Sequence, residues 1–290
     1  MKRRKTLSII FGILVSILLV TSLALAGPPA GMKMYAMSSG TLDLDKGWLT
    51  AGRDMGKWIT IPVPMFLIDH PKGLLLYDTG MHPQIAVDAL KYWGPVAKVF
   101  IPHMKPSQAV DKQIKALGYK PSDVKYVALS HMHLDHAGGM TSFPNATFIV
   151  RKAELQTAWW PESFQRGAYI MKDFEATRGY KYITLGPDED YDVFSDGSVV
   201  LIDSKGHTQG HQSTVVTLPK SGKIVLTGDS CYMMENLNER VVPGIVWDPI
   251  WALKSIDKMR DMRAREGALI ITGHDSDAWK QVKHAPAYYD

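Results

Sequence analysis

The run Val124-Lys125-Tyr126-Val127-Ala128-Leu129-Ser130-His131-Met132-His133-Leu134-Asp135-His136-Ala137-Gly138-Gly139 decides how this sequence is read. Its first part, Val124–Leu129, is short, apolar and rich in β-formers, which predicts a buried strand. That strand delivers His131, His133, Asp135 and His136 into a tight turn. His131 and His133 stand two apart, so in extended backbone their rings point the same way. Asp135 and His136 fall where the chain must bend, and Gly138-Gly139 permits both the bend and a close backbone approach. One tetrahedral zinc takes about four ligands, and a catalytic one keeps a position open for water. The four donors packed into this turn crowd a single ion; they suit two ions sharing a site.

Two ions need further donors, and the sequence offers three at strand ends. His207 follows Val199–Ser204 in Gly206-His207-Thr208. Asp229 follows Ile224–Thr227 in Gly228-Asp229-Ser230, and His274 follows Ala268–Thr272 in Gly273-His274-Asp275. Each comes directly after a glycine and is expected to project from one edge of a sheet. A carboxylate such as Asp229 is suited to bridge two cations. Taken alone, a histidine at a strand end reads as a surface or satisfied residue. In the company of the His131–His136 cluster, these three read as metal ligands. His70, His82, His103, His211 and His284 lack such company and are read as non-ligands; His211 is read as a plain loop residue, with an orienting partner of a ligand as the alternative. Asp78 is read equally well as a turn residue or as an orienting partner of a ligand. Cys231 is read as a small buried residue.

Elsewhere, short branched runs alternate with helical patterns. Strands are expected at Val63–Ile68, Leu74–Tyr77, Thr147–Val150, Val199–Ile202, Thr214–Leu218, Ile224–Thr227 and Ala268–Thr272. Helices are expected at Ser107–Leu117, stopped by Gly118, and from about Pro249 to Arg265, with Gly267 beyond. Trp159–Tyr182 has weak periodicity and many aromatic residues; it reads as an irregular or helical insert that closes over a substrate, outside the core sheet. This mixture predicts a layered α/β fold.

The chain has 290 residues, 46% of them hydrophobic and 21% charged, which excludes a disordered or collagen-like chain and a small disulfide scaffold. Residues 1–26 read as a signal peptide. A basic start (Lys2, Arg3, Arg4, Lys5) precedes an apolar run from Leu7 to Val20 and the small-residue site Ala24-Leu25-Ala26. An uncleaved membrane anchor is the alternative; either way the body, 27–290, is expected outside the cytoplasm, periplasmic or secreted. The four leader cations account for the whole net charge of +4, so residues 27–290 are formally neutral. A neutral body argues against a nucleic-acid partner. With one cysteine, an intramolecular disulfide is impossible.

The pattern His131-x-His133-x-Asp135-His136, followed by His207, Asp229 and His274, resembles the metallo-β-lactamase superfamily. The resemblance implies a four-layer αβ/βα sandwich, a single domain over 27–290, with a dinuclear centre at one edge. It implies that His131, His133 and His207 hold one metal, that Asp135, His136 and His274 hold the other, and that Asp229 bridges them. Within the superfamily the sequence is most similar to the N-acyl-homoserine lactonases, the quorum-quenching enzymes. The similarity runs from about Met34 to Tyr289, through Leu76-Tyr77-Asp78-Thr79-Gly80, Gly206-His207-Thr208-Gln209-Gly210-His211-Gln212-Ser213, Gly228-Asp229-Ser230-Cys231-Tyr232 with Glu235-Asn236, and Gly273-His274-Asp275. Tyr232, three residues after the bridging Asp, is the more telling mark of lactonases.

The expected chemistry is hydrolysis of a small-molecule lactone with two divalent ions, zinc in the first instance, whose bridging water becomes hydroxide near neutral pH. Tyr232 would donate to the oxyanion, and Asp135 would pass a proton to the leaving alkoxide. Met37, Trp48, Phe66, Trp159, Trp160, Phe164 and Tyr169 are the candidates for an apolar wall. A glyoxalase II-like thioesterase, a broad esterase or lactonase, and a β-lactamase of the same fold are the competing enzymes; a periplasmic metal-binding protein is the non-enzymatic reading. Against a β-lactamase stand His136 and Asp229; against glyoxalase II, the absence of a helical region after His274. The sequence assigns no oligomeric state, and it allows a membrane contact only through an uncleaved leader.

Overall fold

The computed structural model describes residues 27–290, so the signal-peptide reading of 1–26 lies outside the described residues. The chain lays down two sheets one after the other. The first uses β1 (Lys33–Asp45), β2 (Trp58–His70), β3 (Gly73–Tyr77), β4 (Ile101–His103), β5 (Val124–Ala128), β6 (Thr147–Arg151) and β7 (Lys181–Leu185), in the order β4-β1-β2-β3-β5-β6-β7. The second uses β8 (Tyr191–Asp192), β9 (Val199–Asp203), β10 (Gln212–Leu218), β11 (Gly222–Leu226) and β12 (Leu269–Ile271), in the order β12-β11-β10-β9-β8.

The period-2 alternation of strand side chains separates the core into layers. Leu75, Tyr77, Ala128 and Ile149 point inward and meet Val199, Leu201, Val216, Ile224, Leu226 and Ile271 between the sheets. Their neighbours Leu74, Leu76, Val127, Phe148 and Val150 point outward, onto Val110 and Ile114 of the helix Val110–Ala116 and Ala158 of the helix Lys152–Trp159. On the opposite outer face, Ile202, Val215, Val225 and Ile270 pack against Ile256 and Met259 of the helix Pro249–Glu266. Helices, sheet, sheet and helices make the expected four-layer αβ/βα sandwich. Strands buried on both faces explain why their sequences read as near-continuous apolar runs.

Three of the differences from the sequence reading have a plain physical cause. The long antiparallel pair β1–β2 extends far beyond Val63–Ile68: Pro62 interrupts the β pattern ahead of that run, and β1 carries no strand expected from sequence. Pro62 and Pro64 sit beside the register shift between Ser38 and Thr41, and β3 pairs only with Phe66–His70, so neither is asked for a central ladder bond. The expected helix Ser107–Leu117 starts late: Ala109, at ψ 137°, separates a 3-10 turn at Pro106–Gln108 from the helix Val110–Ala116. Trp159–Tyr182 is largely short helical turns, as expected, but its last two residues open β7, a parallel edge strand on β6.

β3 and β5 run parallel, as do β11 and β12; β9 runs the same way as β11, since both are antiparallel to β10. The loops leaving the C-terminal ends of these five strands therefore gather along one edge, where open α/β sheets place their ligands.

Candidate metal centre

Each loop along that edge brings polar side chains into the interior. The turn after β5 brings His131, His133, Asp135 and His136; those after β9, β11 and β12 bring His207, Asp229 and His274. All seven are buried. They form two groups, His131, His133, His207 and Asp229 in one and Asp135, His136 and His274 in the other, with the donor atoms inside each group within 4.8 Å of one another. Asp229 stands between them. Its Oδ2 lies 3.5 Å from His131 Nε2 and 3.4 Å from His207 Nε2; its Oδ1 lies 3.3 Å from His136 Nε2 and 3.1 Å from His274 Nε2. Asp135 completes the second group, 3.7 Å from His136 Nε2 and 3.6 Å from His274 Nε2.

The outer nitrogens of these rings show which way the inner ones face. His207 Nδ1 donates to the Ile245 carbonyl (2.9 Å), His274 Nδ1 to the Pro62 carbonyl (2.8 Å) and His136 Nδ1 to Asp78 Oδ2 (2.9 Å). A ring that donates from Nδ1 presents a lone pair at Nε2 when neutral. Lone pairs therefore converge: His207 Nε2 is 3.1 Å from His131 Nε2 and 3.0 Å from His133 Nδ1. His136 Nε2 and Asp229 Oδ1 are buried with no hydrogen-bond partner. Converging acceptors without donors are unfavourable unless cations lie between them.

Electrostatics separate the two groups. Burial and the neighbouring imidazoles hold His131 and His133 well below the usual histidine range, which keeps them neutral and ready to ligate. Burial also opposes charge on His136 and His274, but Asp229 and Asp135 outweigh it and raise both. Burial alone would raise Asp229; the histidines around it hold it well below the carboxylate range. The donor set fits two metal ions, one in each group.

The supports beneath this floor were only partly legible. Asp78, at a left-handed φ of 60°, accepts from the Ser130 N–H (2.7 Å), the Ser130 hydroxyl (2.8 Å) and His136. It is thus an orienting partner of a ligand. His211 does more than the plain loop role expected of it. Its ring is buried, accepts the Asp229 N–H at Nε2 (2.9 Å) and meets the Ser204 hydroxyl at Nδ1 (2.8 Å), so it fixes the loop that carries Asp229. A Cβ on Gly228 would come within 2.8 Å of that same Nε2, which explains the glycine before Asp229. Glu154 gave no sequence signal. Fully buried, it accepts from the Met132 N–H (2.8 Å), the Tyr169 hydroxyl (3.1 Å) and the Thr208 hydroxyl, tying the His131–His136 loop to the His207 loop.

Over the metal groups opens a cleft lined by Leu42, Leu44, Leu49, Ile61, Phe100, Leu134, Ala168 and Ile245, with Tyr232, His133, Asp135, Asp229 and His274 at its base. The Tyr232 ring packs between those of His207 and His274, 5.4 Å from each. Burial, with Asp229 and Asp135 adding to it, pushes its hydroxyl well above the usual range, so it stays a hydrogen-bond donor. None of the seven apolar residues proposed from sequence lines this cleft. Met37, Phe66 and Tyr169 are core, and Trp160 and Phe164 are 80% and 64% exposed. From the 159–182 insert only Ala168 reaches the cleft; its carbonyl accepts the Leu134 N–H (2.9 Å). Nearby, the Tyr92 hydroxyl donates to Asp173 Oδ1 (2.9 Å), while Asp173 Oδ2 is buried without a partner. Burial pushes this acid up to about 8. Cys231 is buried, and burial pushes its thiol up to about 12, as an inert core residue requires.

Comparison with known proteins places this geometry among relatives. The family model of the metallo-beta-lactamase superfamily matches residues 59–274. The chain is 41% identical to the N-acyl homoserine lactonase AttM of Azorhizobium caulinodans over 260 residues, 89% of this chain and 99% of the relative. It is 32% identical to the N-acyl homoserine lactonase AiiA of Bacillus thuringiensis subsp. kurstaki over 258 residues, 88% and 98% of the two chains. Among solved structures, an N-acyl homoserine lactone hydrolase with the product N-hexanoyl-L-homoserine at its catalytic metal center superposes with a TM-score of 0.80 at 29% identity, covering 89% of this chain and 98% of that one.

Proposed function

The chain belongs to the metallo-β-lactamase superfamily, and from that membership we infer that it is a metal-dependent hydrolase opening the lactone ring of N-acyl homoserine lactones, a quorum-quenching activity. The observation that carries this reading is an alignment: two ligand groups share Asp229, Tyr232 stands over them, and an apolar cleft rises directly above. A polar head therefore meets the metal groups while an acyl tail meets leucine and isoleucine.

We assign His131, His133 and His207 to one ion, Asp135, His136 and His274 to the other, and Asp229 to both. Zinc is the ion we propose, on the grounds of a buried set of imidazole and carboxylate donors. When bound, the pair supplies a Lewis acid for the ester carbonyl and a water of lowered pKa. The chain's own groups do the rest. Tyr232 donates its O–H to the carbonyl oxygen as negative charge grows there. Asp135, at the base of the cleft, takes the proton of the attacking water and returns it to the ring oxygen as the C–O bond breaks. Water is added across one bond, and N-acyl homoserine leaves with a free carboxylate and a free hydroxyl.

We place the working enzyme outside the cytoplasm; the basic start, apolar run and Ala24-Leu25-Ala26 support this. The test of the activity is acid release from N-hexanoyl homoserine lactone in a pH-stat. Chelation should abolish turnover and zinc should restore it. A metal-loaded protein that releases acid from no homoserine lactone overturns the reading.

A further inference from the structure

The strap Val241–Asp248, between the helices Met234–Glu239 and Pro249–Glu266, touches both the cleft and the metal floor. On one side it is clasped to the tip of the β1–β2 hairpin. The Ile245 N–H donates to the Trp48 carbonyl (3.1 Å) and the Ala51 N–H to the Val242 carbonyl (3.0 Å). The buried Asn236 amide donates to the carbonyls of both Leu49 and Val241 (3.0 Å each). The two strands of backbone are so close at Gly244 that a Cβ there would lie 2.1 Å from the Gly47 carbonyl oxygen. On the other side the strap grips the His207 loop. The Trp247 and Asp248 N–H groups donate to the Gly206 carbonyl (2.9 and 3.0 Å), and the Ile245 carbonyl accepts His207 Nδ1–H. Ile245 thus has its N–H on the hairpin, its carbonyl on a ligand ring and its side chain in the cleft wall.

We propose that Ile245 is both a positioning and a specificity residue: its carbonyl sets the ring of His207 for the three-histidine ion, and its side chain meets the acyl chain, so that the clasp at Gly244 governs both. The acyl half of this proposal rests on the lactonase reading; the ring-setting half does not. A ring fixed at Nδ1 by a carbonyl keeps one tautomer and one orientation, and loss of such a partner typically costs about 10–100-fold in metal affinity. The strap presents that carbonyl to the His207 ring only while its backbone lies flat on Gly47 and Trp48.

The test uses the full chain and two variants. Gly244→Ala drives a methyl into the Gly47 carbonyl and lifts the strap. Titration of apoprotein with Co²⁺, followed by its visible absorption and by metal analysis, should show one of two ions weakened by about 10–100-fold and the other retained. Both ions bound with wild-type affinity would overturn the positioning role. Ile245→Ala keeps the carbonyl and trims the wall. It should bind both ions and lower the ratio of kcat/KM for N-decanoyl over N-butanoyl homoserine lactone by about tenfold; an unaltered ratio overturns the specificity role. If Gly244→Ala does not fold, Ile245→Pro, which removes the N–H on Trp48, takes its place in the same cobalt titration with the same deciding outcomes. A wild-type chain that opens no lactone defeats the functional reading, while the cobalt titration still judges the strap.

Discussion

The floor and the wall of the cleft are built by opposite rules. The floor is polar, and five of its seven ligands are held twice: His131 by the Ser130 hydroxyl, His136 by Asp78, His207 by Ile245, His274 by Pro62, and Asp229 through its own N–H by His211. The wall is apolar and comes from the β1–β2 hairpin, Phe100 and the 241–248 strap, whose side chains make no directional bonds. Directional contacts tolerate no substitution, because a buried polar partner left alone costs ~1–3 kcal/mol. Apolar contacts tolerate exchange of similar volumes. The floor therefore fixes the chemistry, and on the proposed reading the wall selects the acyl chain.

The largest effect should come from the floor. His133→Ala removes a donor from the three-histidine group; metal analysis should show loss of an ion, and turnover should fall to background. Substantial turnover in that variant would mean that the floor is less exacting than described. Tyr232→Phe should keep both ions and lower kcat for N-hexanoyl homoserine lactone by about 10²-fold. Equal loss of metal and rate would recast Tyr232 as a support. The wall should respond more gently. Leu49→Ala should lower kcat/KM for a decanoyl substrate by about tenfold, with a smaller loss for a butanoyl one, measured at full metal occupancy.

The smallest effect is on stability, at the Tyr92–Asp173 contact beside the wall. Folding raises this acid from 3.8 to about 8, so the folded chain keeps a proton that the unfolded chain has already released. The associated stability is fully present below about pH 4 and is lost as pH rises toward 8. Asp173→Asn should flatten the fall in unfolding free energy between pH 5 and pH 8. It should also raise Tm at pH 8 by about 2–4 °C, equivalent to ~1 kcal/mol. An unchanged pH slope would show that the carboxyl titrates normally.

This contrast also explains what could be read from the sequence. The floor announced itself because each ligand follows an apolar strand and a glycine or sits in the His131–His136 turn, and metal chemistry accepts few residue types. Its supports were harder to see. Asp78 and His211 carry side chains that signal a role, but their partners are set by the fold. The carbonyls of Pro62 and Ile245 belong to every residue alike and leave no trace. The wall was unreadable for a different reason: an aliphatic side chain looks the same in a core and in a cleft. Aromatic character singles out Trp159, Trp160 and Phe164 as wall candidates, whereas Leu42, Leu44 and Leu49 lie on β1, a long strand not expected from sequence, and just beyond its end.

The serial layout of the two sheets has a consequence for how activity arises. The first sheet is complete by Leu185, yet neither donor group closes until His207, Asp229 and His274 have been added from the second. A nascent or truncated product can thus carry most of the fold's mass without any hydrolytic capacity. Metal content becomes a measure of whether synthesis and docking of the two halves have finished.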